Sequence, residues 1–360
     1  MLKQTLTLLC AATLASAPAA TWAKEPKAKA SYHVARKIPL AGAVAYHDFL
    51  AFDEGARRLW VSHGDEVVVV DPDAGTTVTT LPGFKKVHGI AFAAGRAFVT
   101  DGTANLVRAF DAKTGKSVGE AETGKNPDPI LYDPASRKIF AFNHSGGGGC
   151  SATVIEPATV KVVTTIAFGN KDEREGKAEV GRADGKGTVW VNVEDKNEIV
   201  RIDSRKMAVT AHWSIAPCQT PTGLGFDAKH RRLFAGCEEN KMMVVVDADT
   251  GKVITNVPIG ELVDGTEYDP KTGNVYASCS DGTLTIVHQD SADKYSVVQT
   301  VATMKSAKTL ALDLRKGRVY LSAKVPGPVV PAVPAAHAAP DAAPPAANAP
   351  ATLEVIVVEP

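Results

Sequence analysis

Two stretches far apart in the chain are near-copies of each other and decide the fold: "VVVVDPDAGTTVTTLPG" at residues 67–83 and "VVVDADTGKVITNVPIG" at residues 244–260. Each contains an apolar run, a polar turn with Asp and Gly, a second β-rich run and a Pro-containing stop. Asp and Gly in such clusters favour tight turns between strands. A stretch that recurs within one chain indicates a repeat architecture.

The clearest landmark of the repeat is an aromatic residue at the centre of a short β-rich run. These residues are Trp60, Phe98, Phe140, Trp190, Phe234, Tyr276 and Tyr320, at intervals of 38, 42, 50, 44, 42 and 44 residues. An aspartate closes the preceding apolar run in every repeat except the second: Asp53, Asp133, Asp184, Asp227, Asp269 and Asp313. The sequence therefore contains seven repeats.

Each repeat reads as four strands, for which the fifth repeat gives the example: "GLGFD", "RLFAGC", "MMVVVD" and "KVITNVPIG". Short strands at a period near 42 residues are typical of a β-propeller with one four-stranded blade per repeat. We predict an all-β, seven-bladed β-propeller of antiparallel blades. The last repeat lacks its fourth strand, and residues 31–42, which contain "RKIPLAG", resemble one. The N-terminal strand should therefore close the last blade and remove an exposed sheet edge.

The N-terminus has the features of a secretory signal peptide. Lys3 precedes an apolar core at residues 6–14, and "TWA" at 21–23 supplies small residues for cleavage. We predict a signal peptide at 1–23, a linker at 24–30 and one propeller domain at 31–360. A Pro/Ala-rich loop at 324–351 interrupts the last blade. The mature protein is expected to be exported to the periplasm or secreted, soluble, monomeric and without a transmembrane segment.

Four cysteines remain after removal of Cys10 with the signal peptide. Cys218 precedes the first strand of blade five and Cys237 ends its second strand, so antiparallel pairing brings them together. An exported chain permits disulfides, and we predict one between these two residues. No pairing is predicted for Cys150 or Cys279. The absence of CxxC and CxxCH motifs argues against a zinc site and against covalently attached haem.

Several phrases of the sequence resemble a known family. They are "RRLWVSHGDEVVVVDPDAGTTV", "GKNPDPILYDPASRKIFAFN" and "HRRLFAGCEENKMMVVVDADTGKVITNVPIG". They are similar to the YVTN-repeat propellers of the YncE type, and the similarity extends from residue 31 to the C-terminus. The resemblance implies an exported seven-bladed propeller, usually without an assigned catalytic activity. It supplies no catalytic motif.

Residues five positions before each closing aspartate, or before Ala93 in the second repeat, are expected to meet at one end of the central channel, the top. This top funnel consists of Asp48, His88, Asp128, Glu179, Thr222, Asp264 and Lys308. The ends of the second strands add His63, Asp101, Asn143 and Glu194 to the same rim, with Asp281 beside them. Crowded carboxylates raise one another's pKa or recruit a cation with oxygen ligands. We interpret the top funnel as a site for a small ligand, a metal or a protein partner; a water-filled channel lined by solvated polar groups is the simpler interpretation.

The opposite face, the bottom, is expected to be basic although the formal net charge of the chain is zero. Its turns between first and second strands carry Arg57, Arg58, Arg137, Lys138, Arg231, Arg232, Arg315 and Lys316. Nucleic acid or another polyanion could bind there, but solvated turn residues explain the pattern as well, and aromatic residues for base stacking are scarce.

The sequence favours a non-catalytic binding scaffold that uses the top funnel. One alternative is a lactonase-like hydrolase centred on the channel, in which His88, Glu179 and Asp264 would act. Another is polyanion binding by the basic bottom face. A divalent cation is the one cofactor hypothesis that the sequence supports, and it identifies neither the ligand nor an exported partner. No GxSxG or HExxH motif is present.

Overall fold

A computed structural model describes residues 31–144, 149–169, 176–328 and 349–360. The predicted signal peptide and linker lie outside the described residues, as does most of the Pro/Ala-rich loop. Residues Ser31–Pro360 form one compact unit. Within the described residues, the only helix is a 3-10 turn at Glu194–Lys196, and the remainder of the regular structure is β-strand. No helix in these ranges is long and apolar enough to cross a membrane.

The strands form seven four-stranded antiparallel sheets, as the repeat count predicts. The first strand of the chain is β1 (His33–Leu40). Blade one consists of β2 (Leu50–Asp53), β3 (Arg58–His63), β4 (Glu66–Asp71) and β5 (Thr76–Leu81), and blade two of β6 (Val87–Ala93), β7 (Arg96–Asp101), β8 (Leu106–Asp111) and β9 (Ser117–Glu122). Blade three consists of β10 (Pro127–Asp133), β11 (Lys138–Asn143), β12 (Ser151–Glu156) and β13 (Lys161–Ala167). Blade four consists of β14 (Ala178–Ala183), β15 (Thr188–Val193), β16 (Glu198–Asp203) and β17 (Ala208–Ser214).

The remaining strands build blades five, six and seven. They are β18 (Pro221–Asp227), β19 (Arg232–Cys237), β20 (Met242–Asp247) and β21 (Val253–Pro258); β22 (Val263–Asp269), β23 (Asn274–Cys279), β24 (Thr283–Ser291) and β25 (Lys294–Ala302); β26 (Leu310–Asp313), β27 (Arg318–Val325) and β28 (Thr352–Glu359). The fourth strand of blade seven is β1, which pairs with β28. The seven-bladed propeller and its closure by the N-terminal strand are thereby confirmed.

The closing strand is held by both backbone and side-chain contacts. Its register places Ile38 opposite Val355 and Leu40 opposite Leu353, and both β1 residues are buried. Strand β27 continues to Val325, two residues into the segment that the sequence assigns to the Pro/Ala-rich loop. Those two residues pair with the first part of β28, so the insertion begins two residues later than predicted.

The seven landmark aromatics form the contacts between neighbouring blades. All seven are at most 1% exposed. Trp60 of blade one contacts Phe92 of blade two with ring centroids 5.8 Å apart, and Tyr320 of blade seven contacts Phe52 of blade one at 5.4 Å. Aromatic pairs of this kind add about 1 kcal/mol each beyond the area they bury. The same residue that defines the repeat in the sequence therefore binds each blade to the next.

The repeated stretch at residues 67–83 and 244–260 forms the same turn twice. Asp71 and Asp247 each accept hydrogen bonds from the backbone two and three residues later, at 2.9–3.1 Å. Gly75 and Gly251 then adopt φ of +73° and +75°, a left-handed conformation that costs glycine little. Both copies also have a register shift at the corresponding place in their third strand. The similarity in sequence is thus a similarity in turn geometry.

Candidate functional site

The first strand of each blade lies beside the first strands of the neighbouring blades around the central channel. Residues at the start of these strands therefore meet at one end of the channel. Six of the seven predicted funnel residues are connected to one another, either by close polar contacts or by the effect of one residue's charge on the pKa of the next. They are Asp48, His88, Asp128, Glu179, Asp264 and Lys308. We refer to these six, together with His144 and Tyr46, as the funnel cluster.

His88 lies at the centre of the densest part of the cluster. Its Nδ1 is 2.6 Å from Oδ2 of Asp48 and 3.2 Å from Oδ2 of Asp128, and the hydroxyl of Tyr46 lies 2.9 Å away. The ring is 1% exposed, and the two carboxylates are 3% and 7% exposed. One nitrogen carries at most one proton, so it can donate to only one of these oxygens at a time. The hydroxyl of Tyr46 also donates to Oδ2 of Asp48, so two carboxylates and one hydroxyl crowd a single imidazole nitrogen.

A second histidine continues the cluster. Nε2 of His144 lies 3.5 Å from Oδ2 of Asp128 and 3.4 Å from Oε1 of Glu179, in neither case with hydrogen-bond geometry. The amide nitrogen of Asn126 donates to Nδ1 of His144 at 3.1 Å, which leaves the ring proton on Nε2, facing the two carboxylates. The imidazole therefore sits between two acids that it only partly satisfies.

Carboxylates outnumber the ammonium groups that compensate them. Lys308 Nζ lies 3.2 Å from Oδ1 of Asp48 and 2.7 Å from Oδ2 of Asp264, so one lysine serves two acids. Glu194 is paired with Lys177 at 3.0 Å, and it also shares a hydrogen bond with Glu179. Among the described residues, the carboxylate of Asp128 pairs only with the two histidines, which are neutral unless protonated.

This arrangement separates the pKa values of neighbouring acids. Burial raises the pKa of Asp48, but the charge of Lys308 and the hydrogen bond from His88 outweigh it, and the net pKa lies below the usual range. Burial and then the charge of Asp48 raise the pKa of Asp128 to about 7. Burial, followed by the charge of Asp264, raises the pKa of Glu179 well above its ordinary value. Asp128 is therefore close to half-titrated at neutral pH, and the ionised form of Glu179 is disfavoured.

The centre of the cluster has the donors of a metal site. Asp48, His88 and Asp128 can each offer one ligand atom, and these three atoms lie within 4.8 Å of one another. Imidazole with carboxylate is a donor set that suits Zn²⁺, Fe²⁺ and Mn²⁺ better than the all-oxygen shells of Ca²⁺. A divalent ion there would replace the missing positive charge and separate oxygens that now crowd one imidazole nitrogen.

One predicted funnel residue, Thr222, and three predicted rim residues, His63, Asp101 and Asn143, form contacts outside the funnel cluster. Thr222 donates its hydroxyl to the carbonyl of Val263 at 2.7 Å, which fixes blade five to blade six. His63 pairs with Glu66 of its own blade at 3.1 Å. The hydroxyl of Thr222 thus has a partner outside the cluster, and so does Nδ1 of His63, whereas the buried Nε2 of His63 has no hydrogen-bond partner among the described residues. The described contacts connect neither residue to the cluster.

Asp101 and Asn143 form hydrogen bonds with backbone and hydroxyl groups outside the funnel cluster. The carboxylate of Asp101 accepts hydrogen bonds from the backbone N–H groups of Lys85 and Lys86 at 3.0–3.1 Å. Asn143 donates to the hydroxyls of Ser151 and Thr153, both at 3.0 Å, across its own sheet. Glu194, the last predicted rim residue, does reach the cluster through Glu179.

Sequence reasoning missed Tyr46, Asn126 and His144. His144 directly follows the predicted Asn143, and side chains of successive strand residues point to opposite sides. The end of β11 thus turns His144, rather than Asn143, towards the channel. Tyr46 lies two residues before Asp48, to whose Oδ2 its hydroxyl donates at 2.5 Å. The alternation of strand residues was the one available signal for His144.

The bottom face is basic in sequence but largely neutralised in structure. Six of the eight predicted residues pair with nearby acids: Arg57 with Asp313, Arg58 with Asp71, Lys138 with Glu156, Arg231 with Asp184 and Asp249, Arg232 with Asp247 and Asp293, and Lys316 with Asp73. Arg137 and Arg315 are exposed. Phosphate groups would therefore have to displace ion pairs, which weighs against the polyanion alternative.

The predicted disulfide is present between Cys218 and Cys237, with a Cα–Cα distance of 5.3 Å. It joins the segment entering β18 to the end of β19 at the top of blade five. Cys279 occupies the equivalent place in blade six as a buried thiol, and burial raises its pKa to about 12. Cys150 is buried as well.

No family model and no curated protein matches this chain. Solved structures do match. Hydrazine synthase of Kuenenia stuttgartiensis superposes with a TM-score of 0.65 and 15% sequence identity, over 76% of this chain and 91% of that chain. A chain from the crystal structure of a mitotic checkpoint complex superposes with a TM-score of 0.68 and 14% identity, over 87% and 96%. At these identities the likeness shows the fold alone: this chain is a seven-bladed β-propeller similar to both.

Proposed function

We propose that the protein is a binding propeller whose funnel cluster holds a divalent first-row metal ion. The observation that carries the proposal is the convergence of Asp48, His88 and Asp128, contributed by three separate blades, with ligand atoms within 4.8 Å. The three residues are buried, and their mutual distances are close to those of neighbouring ligands around one ion. His144 and Glu179 stand next to Asp128 as further ligands or as partners that orient it.

Charge supports the same conclusion. Burial and neighbouring acids raise the pKa of Asp128 to about 7 and raise the pKa of Glu179 as well, so the ionised forms of both are disfavoured in the cluster. A bound divalent cation supplies the compensating charge, so binding should expel protons from the site.

The geometry argues against His88 as the general base of a hydrolase. A Cβ added at Gly102 would lie 2.6 Å from Nε2 of His88, which shows that the backbone of blade two covers this nitrogen. Its other nitrogen faces Asp48 and Asp128. His88 is thus placed to hold an ion or a proton within the cluster rather than to reach a substrate.

We infer further that the protein is exported and belongs with the YVTN-repeat propellers. The sequence phrases quoted above support the family, and the features of a signal peptide at residues 1–23 support export. The disulfide between Cys218 and Cys237 fits an oxidising compartment. Detection of the processed chain in a periplasmic or culture-medium fraction tests this inference, and exclusive recovery from the cytoplasm contradicts it.

The metal proposal is tested by calorimetric titration of chelator-treated protein with Zn²⁺, Mn²⁺, Ca²⁺ and Mg²⁺. We expect one equivalent to bind, with Zn²⁺ or Mn²⁺ tighter than Ca²⁺ or Mg²⁺. His88→Ala and Asp128→Ala should each weaken binding by about 10- to 100-fold. The matched controls are His212→Ala and Asp290→Ala, which alter exposed residues of the same types outside the cluster. Equal affinity in the cluster variants and the controls would refute the site.

A further inference from the structure

A cavity of about 320 Å³ lies in the central channel. Its lining begins with the residues that directly follow the funnel positions on the inner strands and extends to Glu54 and Leu314 at the bottom. Much of its wall is apolar, with Leu50, Ile90, Ile130 and Val180 among the lining residues. The volume is at the lower end of the range for small-molecule sites, so a ligand of only a few carbon atoms would fill it.

One ion pair crosses this cavity. Arg182 of β14 and Glu267 of β22 come from blades four and six, and their side chains are 26% and 32% exposed. Each of the two residues pairs, in the register of the first and second strands, with the landmark aromatic of its own blade. The residues at the equivalent position of three other blades are Ala51, Gly225 and Ala311. Since those three equivalents are small, the channel has room beside the pair.

The pair is not saturated by its partners in the described chain. Arg182 donates to the carbonyls of Gly181 and Thr266, at 3.1 and 3.4 Å, and to Glu267. An arginine has five N–H donors, so two remain. The carboxylate of Glu267 accepts only the donor from Arg182 among the described contacts, and burial raises its pKa despite that arginine. Both groups thus retain capacity for a polar ligand.

We propose that this cavity binds an α-amino acid with an aliphatic side chain, independently of the metal site. The ligand carboxylate takes the remaining N–H donors of Arg182, and the ligand ammonium takes the free oxygen of Glu267. The aliphatic side chain lies against Leu50, Ile90 and Val180. A zwitterion matches an ion pair because each charge of the ligand meets an opposite charge of the protein. A simple carboxylate or a simple amine would leave one half of the pair without its match.

The test is calorimetric titration of the purified protein with L-leucine, with a chelator present so that no metal contributes. L-leucine is compared with 4-methylpentanoate, which keeps only the carboxylate, and 3-methylbutylamine, which keeps only the ammonium. The proposal predicts binding of L-leucine at least about tenfold tighter than either half-molecule. Absence of L-leucine binding up to about 10 mM, or equal affinity for a half-molecule, would overturn it.

Variants locate the binding. Glu267→Gln and Arg182→Met should each reduce L-leucine affinity by about tenfold or more, whereas Glu120→Gln on the exposed edge strand β9 should not. Ala51→Leu fills the cavity without altering a charge, and it should abolish binding even if the charge variants fold poorly. Undiminished binding in Ala51→Leu would place the ligand elsewhere and contradict the proposal.

Discussion

The imidazole of His88 is contacted through one nitrogen by two carboxylates and a hydroxyl. A folded protein tolerates this arrangement only if protons, a lysine or a ligand offset the repulsion between the oxygens. Lys308 offsets it for Asp48 and Asp264 but does not contact Asp128. Among the described contacts, no lysine compensates the charge of Asp128, so ionisation of this residue should lower the free energy of unfolding.

This imbalance predicts how stability depends on pH in the absence of metal. The pKa of Asp128 is raised from 3.8 to about 7, so the native state binds its proton more tightly than the unfolded state. Stability should then decrease as pH rises from about 4 through about 7. Asp128→Asn removes this dependence, and at pH 8 with chelator its free energy of unfolding should exceed that of wild type by up to about 4 kcal/mol in urea unfolding.

The control for this prediction is the same comparison at pH 5, where Asp128 carries its proton and the difference should shrink. An Asp128→Asn variant less stable than wild type at pH 8, or equally more stable at both pH values, would show that ionisation of Asp128 is not penalised in the fold.

A second single-residue prediction concerns the bottom face. Asp313 is fully buried and pairs with Arg57. Its carboxylate also accepts hydrogen bonds from the backbone N–H groups of Arg315 and Lys316 and from the hydroxyl of Tyr320. Arg57→Met leaves that charge without its guanidinium and should cost about 2–3 kcal/mol of unfolding free energy. Arg58→Met breaks the more exposed pair with Asp71 and should cost less than about 1 kcal/mol. Similar losses for both variants would contradict this ranking.

At the scale of single residues, the sequence predicted which positions surround the top funnel, but it did not predict the direction in which each side chain points. Counting back from the closing aspartates found Asp48, His88 and Asp128 because the repeat fixes their depth in the channel. It could not show that Asp101 caps the backbone of a neighbouring loop. A polar side chain can point into the channel or form hydrogen bonds within its own sheet, and contacts with neighbouring blades decide between the two. The position of a residue within its repeat carries no information about those contacts.

At the scale of elements, each blade is a strand-and-turn unit in which the turn residues specify geometry. The aspartates that close the first strands accept backbone hydrogen bonds within the following turn, as Asp227 and Asp269 do from Lys229 and Lys271 at 2.9 and 2.8 Å. Such turns are legible in the sequence because Asp and Gly have specific conformational roles. For this reason the strand order was predictable, whereas the extension of β27 to Val325 was not.

The disulfide of blade five yields a prediction at this scale. Cys218 and Cys237 are 19 residues apart in sequence, a loop whose closure in the unfolded chain is worth roughly 3 kcal/mol. The double variant Cys218→Ala/Cys237→Ala should lose about that amount in urea unfolding, and reduction of the wild type should produce a comparable loss. Cys279→Ala provides the control for loss of a buried sulfur without a crosslink. An equally large effect of Cys279→Ala would show that packing, not the crosslink, is responsible.

At the scale of the whole molecule, the ring is closed by pairing the first described strand with the last. The aromatic contact from Tyr320 to Phe52 and the strand pairing of β1 with β28 occur at the same junction. Outside the closing blade, every blade is continuous in sequence. The stability of the propeller should therefore depend strongly on this one junction.

Deletion of residues 31–40 tests that dependence. The deletion removes the burial of Ile38 and Leu40, worth roughly 2 kcal/mol each, and exposes the edge of β28. We expect a lower melting temperature and concentration-dependent association in size-exclusion chromatography. Lys37→Ser, which alters an exposed side chain of the same strand, should change neither. A deletion variant that stays monomeric with an unchanged melting temperature would show that β1 does not close the ring.

The most direct test of the metal proposal is a crystal structure of the protein grown with Mn²⁺ or Zn²⁺, with anomalous diffraction data collected at the absorption edge of the ion. The account predicts one strong anomalous peak in the funnel, about 2.0–2.3 Å from atoms of Asp48, His88 and Asp128. It also predicts loss of that peak in His88→Ala. A funnel without anomalous density, in crystals where the ion binds elsewhere or not at all, would contradict the central claim.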